Sequence, residues 1–487
     1  MKYFNFLKVR AEHYRLEYLK ALRDFQHTVK PRLILFTLGS FSVSVLVGYH
    51  LIESSTLPTQ TAFMAAIFVL AGLLWVTEAL PLFATALVVI ALEIILLANP
   101  GDWSWVGTGM SGQDIHYSEF LSPLSDPIII LFLGGFILAQ AAVKVGIDRA
   151  LASNVLKIFG SKPRTVMLGL MAITAIFSMW MSNTATTAMM ITLTVPLLTQ
   201  VESGDPFKKA LVLCIPFAAN IGGMGTPIAS PPNAVTVAFL KDIGIEISFL
   251  QWTLVALPLV VVLLLITWMI LWKVYQPKKD IVLKSEAHKI NPQGYYVMFV
   301  FVATIGLWLS EGWHGLPTSV VAFFPIVAFT STGIIRRSDI NSLEWHILIL
   351  IAGGLALGSG LKITNLDNYL VGLIPHNDTL IFPLLVTVTV LLSTFMSNTA
   401  AANLLIPLGV SYAVSTDDSG LALEIGIGIA FAASLAMSLP ISTPPNAIAY
   451  AKGILHSKDF SKAGMLIGII GITLIILIRL SMHWFSA

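Results

Sequence analysis

The chain has 487 residues, of which 56% are hydrophobic and 11% charged, with a formal net charge of +2. Soluble domains carry about 25% charged residues, so this composition excludes an ordinary globular protein and requires a polytopic one embedded in the lipid bilayer. No basic stripe offers a surface for nucleic acid, and a single cysteine, Cys214, excludes an internal disulfide or a cysteine-ligated metal cluster. That lone thiol reads as a buried, inert side chain.

Residues 1–32 form a polar arm in which Lys2, Lys8, Arg10, Arg15, Lys20, Arg23, Lys30 and Arg32 face Glu12, Glu17 and Asp24. The arm is too long for the n-region of a cleavable signal peptide and reads as a cytoplasmic positive-inside anchor, with a helical spacing that also suits anionic lipid. A helical span needs about 20 apolar residues. Eleven such stretches follow, at 33–52, 62–80, 82–98, 125–144, 208–224, 251–274, 294–311, 316–334, 344–361, 421–439 and 463–483. Two further apolar segments, 164–200 and 379–413, are interrupted at their centres by the polar islands Ser182-Asn183-Thr184 and Ser397-Asn398-Thr399.

Basic residues cluster in the arm, at 144–164, 208–209, 273–289, 336–337 and 452–462. If both interrupted segments fold back as re-entrant hairpins, every cluster falls on the cytoplasmic side and the acidic stretch 99–122 lies outside. If both crossed fully, Arg336 and Arg337 would be outside. The expectation is therefore an all-α polytopic membrane protein with eleven transmembrane helices plus two re-entrant hairpins, its N-terminus cytoplasmic and its C-terminus outside.

The halves repeat. Leu74-Trp75-Val76-Thr77-Glu78 matches Leu307-Trp308-Leu309-Ser310-Glu311, Gly134-Gly135 matches Gly353-Gly354, and Ser230-Pro231-Pro232-Asn233 is answered by Thr443-Pro444-Pro445-Asn446. Equivalent spans are five apart, an odd separation that gives the halves opposite orientations, as in many secondary transporters. The chain then divides into the arm, an extra first span (33–61), a first inverted repeat (62–276, hairpin 164–200), a cytoplasmic linker (277–293) and a second repeat (294–487, hairpin 379–413).

Unpaired backbone at membrane depth must line protein or a water-filled cavity. Ser, Asn and Thr cap helix N-termini, so each island starts a half-helix whose positive end points at whatever binds there. Their hydroxyls and amides can hold a carboxylate or a small cation. The Pro-Pro pairs read as second breaks, freeing the carbonyls of Pro227 and Ile228 and of Pro440 and Ile441 as ligands for a hard cation such as Na⁺.

These motifs, with Ser178-Met179-Trp180-Met181 ahead of the first island, resemble the divalent anion/sodium symporter family, the INDY-like carriers of di- and tricarboxylates. The resemblance runs from Leu33 to the C-terminus. It implies two hairpins, a homodimeric scaffold and elevator-type movement. One Na⁺ site would use Ser178, Ser182, Asn183 and the backbone of Ala229, where relatives often have Gly; the other would use Ser393, the Met396 backbone, Asn398 and the Ser442 backbone. The substrate would meet Asn183, Thr184, Ser230, Pro231, Ser397, Asn398, Thr399, Thr443 and Pro444. The function so implied is secondary transport of C4-dicarboxylates such as succinate, malate and fumarate with Na⁺ and no organic cofactor. A Na⁺-independent exchanger and a carrier of citrate or sulfate-type oxyanions are the alternatives.

Among other ionisable residues, Glu78 and Glu311 are expected to cap or meet the interface, Glu93 and Lys362 to snorkel or pair, and Asp126 to be an N-cap. An intramembrane hydrolase would need paired aspartates, a His-Glu-x-x-His motif or a Ser–His pair, and an ATP-driven pump a P-loop; none is found. A channel built on the same islands would differ from a carrier in lacking saturable, carrier-like turnover.

Overall fold

The computed structural model describes residues 31–54, 57–103, 115–278, 291–374 and 378–482. The N-terminal arm, the centre of the 99–122 loop and most of the linker lie outside the described residues, within which all regular structure is helical. Helix α1 (Pro31–Glu53) packs on α2 (Thr59–Thr77), and α3 (Leu82–Glu93) runs into a π-helical turn, Ile94–Ala98. Helix α4 (Pro127–Val145) begins as its sequence dictates: Asp126 accepts from the Ile128 N–H at 2.8 Å and Pro127 takes the first position, where its missing N–H costs nothing. It ends at Gly146, whose φ of +74° suits glycine. The amphipathic α5 (Ile147–Ile158) follows.

Helices α6 (Pro163–Ser178) and α7 (Asn183–Leu198) occupy the first interrupted segment, and α8 (Phe207–Gly222) and α9 (Pro231–Asp242) flank the first proline pair. Helix α10 (Phe249–Val274) opens on a Ser248–Gln251 capping box, and α11 (Pro292–Leu309) on Asn291, which accepts from the Gly294 N–H at 2.7 Å. Then come α12 (Phe323–Ser331), α13 (Trp345–Ile363) and α14 (Leu366–Gly372). The second interrupted segment forms α15 (Asp378–Phe395) and α16 (Asn398–Ser415); α17 (Ser419–Ser434), α18 (Pro444–Tyr450) and α19 (Ser457–Met482) complete the described chain.

Seven helical stretches among the described residues are long and apolar enough to cross a membrane: Leu33–Glu53, Thr59–Thr77, Ser118–Val145, Phe249–Val274, Pro292–Leu309, Trp345–Ile363 and Ser457–Arg479. Three of the shorter apolar helices, Pro163–Ser178, Leu380–Phe395 and Ser419–Ser434, each stop at a polar break. At about 1.5 Å rise per residue their 16 residues reach about 24 Å, short of a hydrocarbon layer of about 30 Å.

The repeated glycines make repeated crossings. A Cβ on Gly134 of α4 would lie 2.7 Å from Ala322 Cβ, just before α12, and one on Gly353 of α13 would lie 2.3 Å from Ala86 Cβ of α3. Only a missing side chain allows backbones to approach so closely. The halves also exchange partners. Helix α9 packs on α16 and α17 of the other half, while α18 packs on α7 and α8. This exchange sets the second proline break beside α7 and α8 of the first half.

Many of the expected basic clusters sit at helix ends tied to one another. Lys144 pairs with Asp339, Asn291 Nδ2 donates to Val145 O, and Arg164 lies over the Trp268 ring. Lys209 pairs with Asp459, which also accepts from Tyr275 OH, and Asp205 accepts from the Lys278 N–H. Glu93 departs from expectation. It neither snorkels nor pairs: it is wholly buried and neither carboxylate oxygen has a partner, because α2 and α13 close over the end of α3 around Met64 and Gly360.

Candidate functional site

In the first half, Ser182 leaves helical geometry (φ −59°, ψ 140°) and its Oγ accepts from the Ala185 N–H at 3.3 Å, which fixes the start of α7. Asn183 and Thr184 are then the first two helical residues, half-buried at the tip. The wholly buried Ser178 Oγ lies within hydrogen-bond distance of both Asn183 Oδ1 and Ala219 O, 2.7 Å from the latter. The Asn183 amide rests on Gly223, where a Cβ would come within 2.6 Å of it. Residues 223–230, between α8 and α9, are non-helical and buried.

The second half repeats these hydrogen bonds. Ser397 Oγ accepts from the Ala400 N–H at 3.1 Å, starting α16. Ser393 Oγ lies 2.8 Å from Asn398 Oδ1 and 2.9 Å from Ala433 O. A serine hydroxyl has one proton, so it cannot donate to both acceptors at once. Each cluster therefore gathers three neutral oxygens around a single hydrogen, a donor set that fits a hard monovalent cation better than it fits itself.

The proline pairs correct the sequence reading. They do not break a helix from within: they occupy the first turn of a new one, so the Pro227, Ile228, Pro440 and Ile441 carbonyls are not freed by them. The break is the whole non-helical segment ahead of each pair, and some of its carbonyls are already claimed. Asn233 Nδ2 donates to Gly223 O at 2.9 Å and Thr226 O at 2.8 Å. Asn446 Nδ2 does the same for Met437 O at 3.1 Å and Leu439 O at 2.9 Å. Sequence reasoning quoted both asparagines without giving them this role. It could have been suspected from an amide two residues after the first proline, in a stretch with no other amide side chain.

A direct side-chain contact joins the halves: Asn220 Nδ2 donates to Thr443 Oγ1 at 3.1 Å, across 223 residues of chain. Asn220 went unnoticed in the sequence. The mirrored positions, Ser434 and Ser230, carry buried hydroxyls without a partner. Thr399, Thr443, Ser230, Ala229, Met396 and Ser442 are buried, Ser397, Asn398 and Pro231 are partly so, and Pro444 is exposed. Ser442 Oγ donates to Thr394 O at 2.9 Å, tying the second break to its hairpin. Ser182 Oγ instead faces Glu344 Oε1 at 3.1 Å, an acid the sequence reading passed over.

The two half-sites are unequally covered. Ile228 is 7% exposed and packs on Gly135 of α4, whereas its counterpart Ile441 is 79% exposed. Trp180 at the first tip stacks on Phe249, which stacks on Trp308, while Phe395 at the second tip is 70% exposed. A cavity of about 590 Å³ borders the first break at Pro227 and is lined by Asp126, Glu246 and Glu311, and another of about 680 Å³ is lined by Asp242, Lys362 and Asp367.

Residues 37–486 match the model of the sodium:sulfate symporter transmembrane region. The chain belongs to that family. This is the divalent anion/sodium symporter family that the island motifs resemble, and it makes the chain a multi-pass membrane transporter and not an enzyme. A sodium-dependent dicarboxylate transporter, SdcS, of Staphylococcus saprophyticus is 31% identical over 90% of this chain and 91% of its own. An inorganic phosphate transporter, PHO87, of Saccharomyces cerevisiae is 32% identical over 77% of this chain but only 41% of its own length. Among solved structures, the YdaH transporter of Alcanivorax borkumensis has a TM-score of 0.54 at 11% identity, covering 85% of this chain and 98% of that one. MtrF of Neisseria gonorrhoeae has a TM-score of 0.55 at 12% identity, covering 83% and 96%. These likenesses show that the chain shares the fold of those two proteins.

Proposed function

We propose that the protein is a Na⁺-coupled carrier of C4-dicarboxylates such as succinate, malate and fumarate. The observation that carries this reading is the pair of mirrored oxygen clusters at Ser178–Asn183–Ala219 and Ser393–Asn398–Ala433. Each stands at the foot of a half-helix whose positive end opens toward the same interior region. Neither cluster contains a carboxylate, and Na⁺ suits the neutral oxygens. With the cations bound, the N-termini of α7 and α16 and the hydroxyls of Thr184, Thr399, Ser230 and Thr443 supply donors for a ligand with an anionic group at each end. The acid needs no arginine, because the co-bound Na⁺ ions supply the opposite charge.

The eleven-span reading with two re-entrant hairpins and inverted repeats at 62–276 and 294–487 gives such a site a way to alternate. The body carrying the hairpins and breaks shifts in elevator fashion against α1–α4 and α11–α13, which form the scaffold of a homodimer in the cell membrane. The orientation has a cytoplasmic N-terminus. Unequal cover of Ile228 and Ile441 supports a state open on one side only. The test is uptake of labelled succinate into proteoliposomes under an imposed Na⁺ gradient. Saturable uptake stimulated by Na⁺ is expected; equal uptake with choline in its place would overturn the coupling and leave an exchanger.

A further inference from the structure

The helix start after each break carries one hydroxyl, and the two are held differently. Thr443 caps α18, and its Oγ1 accepts from two donors, the Asn446 N–H at 3.3 Å and Asn220 Nδ2 at 3.1 Å. Ser230 stands at the equivalent start of α9 in nearly the same backbone conformation, φ −149° against −140°. Its side chain caps nothing, and its buried hydroxyl has no partner. The repeat explains the difference. Ala219 and Ala433 supply the mirrored carbonyls of the two oxygen clusters, 214 residues apart (433 − 219), so Ser434 stands where the first half has Asn220 (220 + 214). Ser434 offers no amide, and its own hydroxyl is also buried without a partner.

A hydroxyl has one proton and two lone pairs. At Thr443 both lone pairs are taken, one by the α8 amide and one by the first turn of its own helix, so the proton is the one function left to it. No acceptor among the described residues takes that proton up. Asn220 and Thr443 are both almost wholly buried, so bulk water does not turn the hydroxyl round. A donor fixed in advance needs no reorganisation when an anion arrives, whereas a free rotor such as Ser230 must first be ordered. Asn220 also follows directly on Ala219, whose carbonyl belongs to the first oxygen cluster. One turn of α8 therefore borders a cluster of the first half and the hydroxyl of the second.

Resting on the function proposed above, we propose that Asn220 is a positioning residue for the dicarboxylate: its amide presets the Thr443 hydroxyl of the opposite repeat as a pure donor to one carboxylate of the substrate. Asn220 acts through Thr443 and need not touch the ligand. The end of the substrate at Ser230 meets no such device, so the two carboxylates are held unequally although their half-sites are repeats. A hydroxyl that can only donate selects a group that can only accept, which an ionised carboxylate is.

The experiment measures the half-saturating concentration of labelled succinate, at saturating Na⁺, in proteoliposomes of the full chain. Asn220→Leu keeps the shape of the amide and removes its donor, and the half-saturating concentration should rise about tenfold, the scale of one hydrogen bond to a charged group. Ser434→Ala should leave it unchanged. In a Thr443→Val background Asn220→Leu should add nothing further, because the hydroxyl it acts through is gone. The rise in melting temperature that Na⁺ alone gives the purified protein should be the same in Asn220→Leu, which separates the setting of Thr443 from damage to the turn at Ala219. Where a variant transports too slowly to measure, protection against heat by succinate in Na⁺ reads the same affinity, and Asn220→Ala replaces Asn220→Leu if the latter does not fold. Succinate affinity unchanged or tightened in Asn220→Leu, a loss that persists in Thr443→Val, an equal loss in Ser434→Ala, or disappearance of the Na⁺ effect overturns this role. Absence of both Na⁺-stimulated uptake and succinate protection in the unaltered protein would instead sink the transport reading, and this role with it.

Discussion

Replacing Asn233 by Asp keeps the side-chain volume and exchanges the two N–H donors for a carboxyl that, when ionised, can only accept. Those donors serve Gly223 O and Thr226 O in a wholly buried segment, and Asn446 serves Met437 O and Leu439 O in the same way. Each carbonyl left without a partner costs about 1–3 kcal/mol. Thr226 O keeps the Ala229 N–H and Leu439 O the Ser442 N–H, so each variant orphans one carbonyl and sets a carboxyl oxygen against it, a loss of about 3 kcal/mol. A convenient reporter is built in: Trp252 Nε1 donates to Met224 O at 2.9 Å inside the first break, and its ring meets Phe431 edge-on at 5.6 Å. Thermal unfolding in detergent, followed by tryptophan fluorescence, should show Asn233→Asp and Asn446→Asp each melting several degrees below the unaltered protein. Melting within a degree of it for either variant would refute the claim that these amides hold the breaks open.

Two further outcomes follow from burial. Glu93→Met should melt at or above the unaltered protein, because it replaces an unpartnered buried acid worth about 1–3 kcal/mol by an apolar side chain of similar length; a clear loss of stability would mean that the carboxyl group has a partner in the membrane. Ile441→Cys should react quickly with a hydrophilic maleimide and Ile228→Cys slowly, against a low background because Cys214 is wholly buried. Turnover with Na⁺ and substrate should expose Ile228→Cys, and its inertness under every gradient would contradict alternation between mirrored states.

What the sequence revealed and what it concealed divide along a physical line. The islands were legible because Ser, Asn and Thr are costly in an apolar run unless they cap something, and Ser182 and Ser397 do cap α7 and α16. Asp126 before Pro127 was legible for the same reason. The proline pairs were misread because the missing N–H was taken as a defect inside a helix. A Ser or Thr directly before Pro-Pro is also the signature of a helix start, and that local signal was the correct one. The amides of Asn220, Asn233 and Asn446 and the burial of Glu93 depend on where distant backbone arrives, which no local pattern encodes. The contact between Ser182 and Glu344 is of the same kind, since it exists only once α13 is placed beside the first hairpin.

The central claim is that both half-sites grip one ligand together. Na⁺-dependent binding of labelled succinate to purified protein tests it most directly, comparing Asn183→Ala with Asn398→Ala. The account predicts that either change alone abolishes binding at concentrations that saturate the unaltered protein; undiminished binding by one of the two would contradict it.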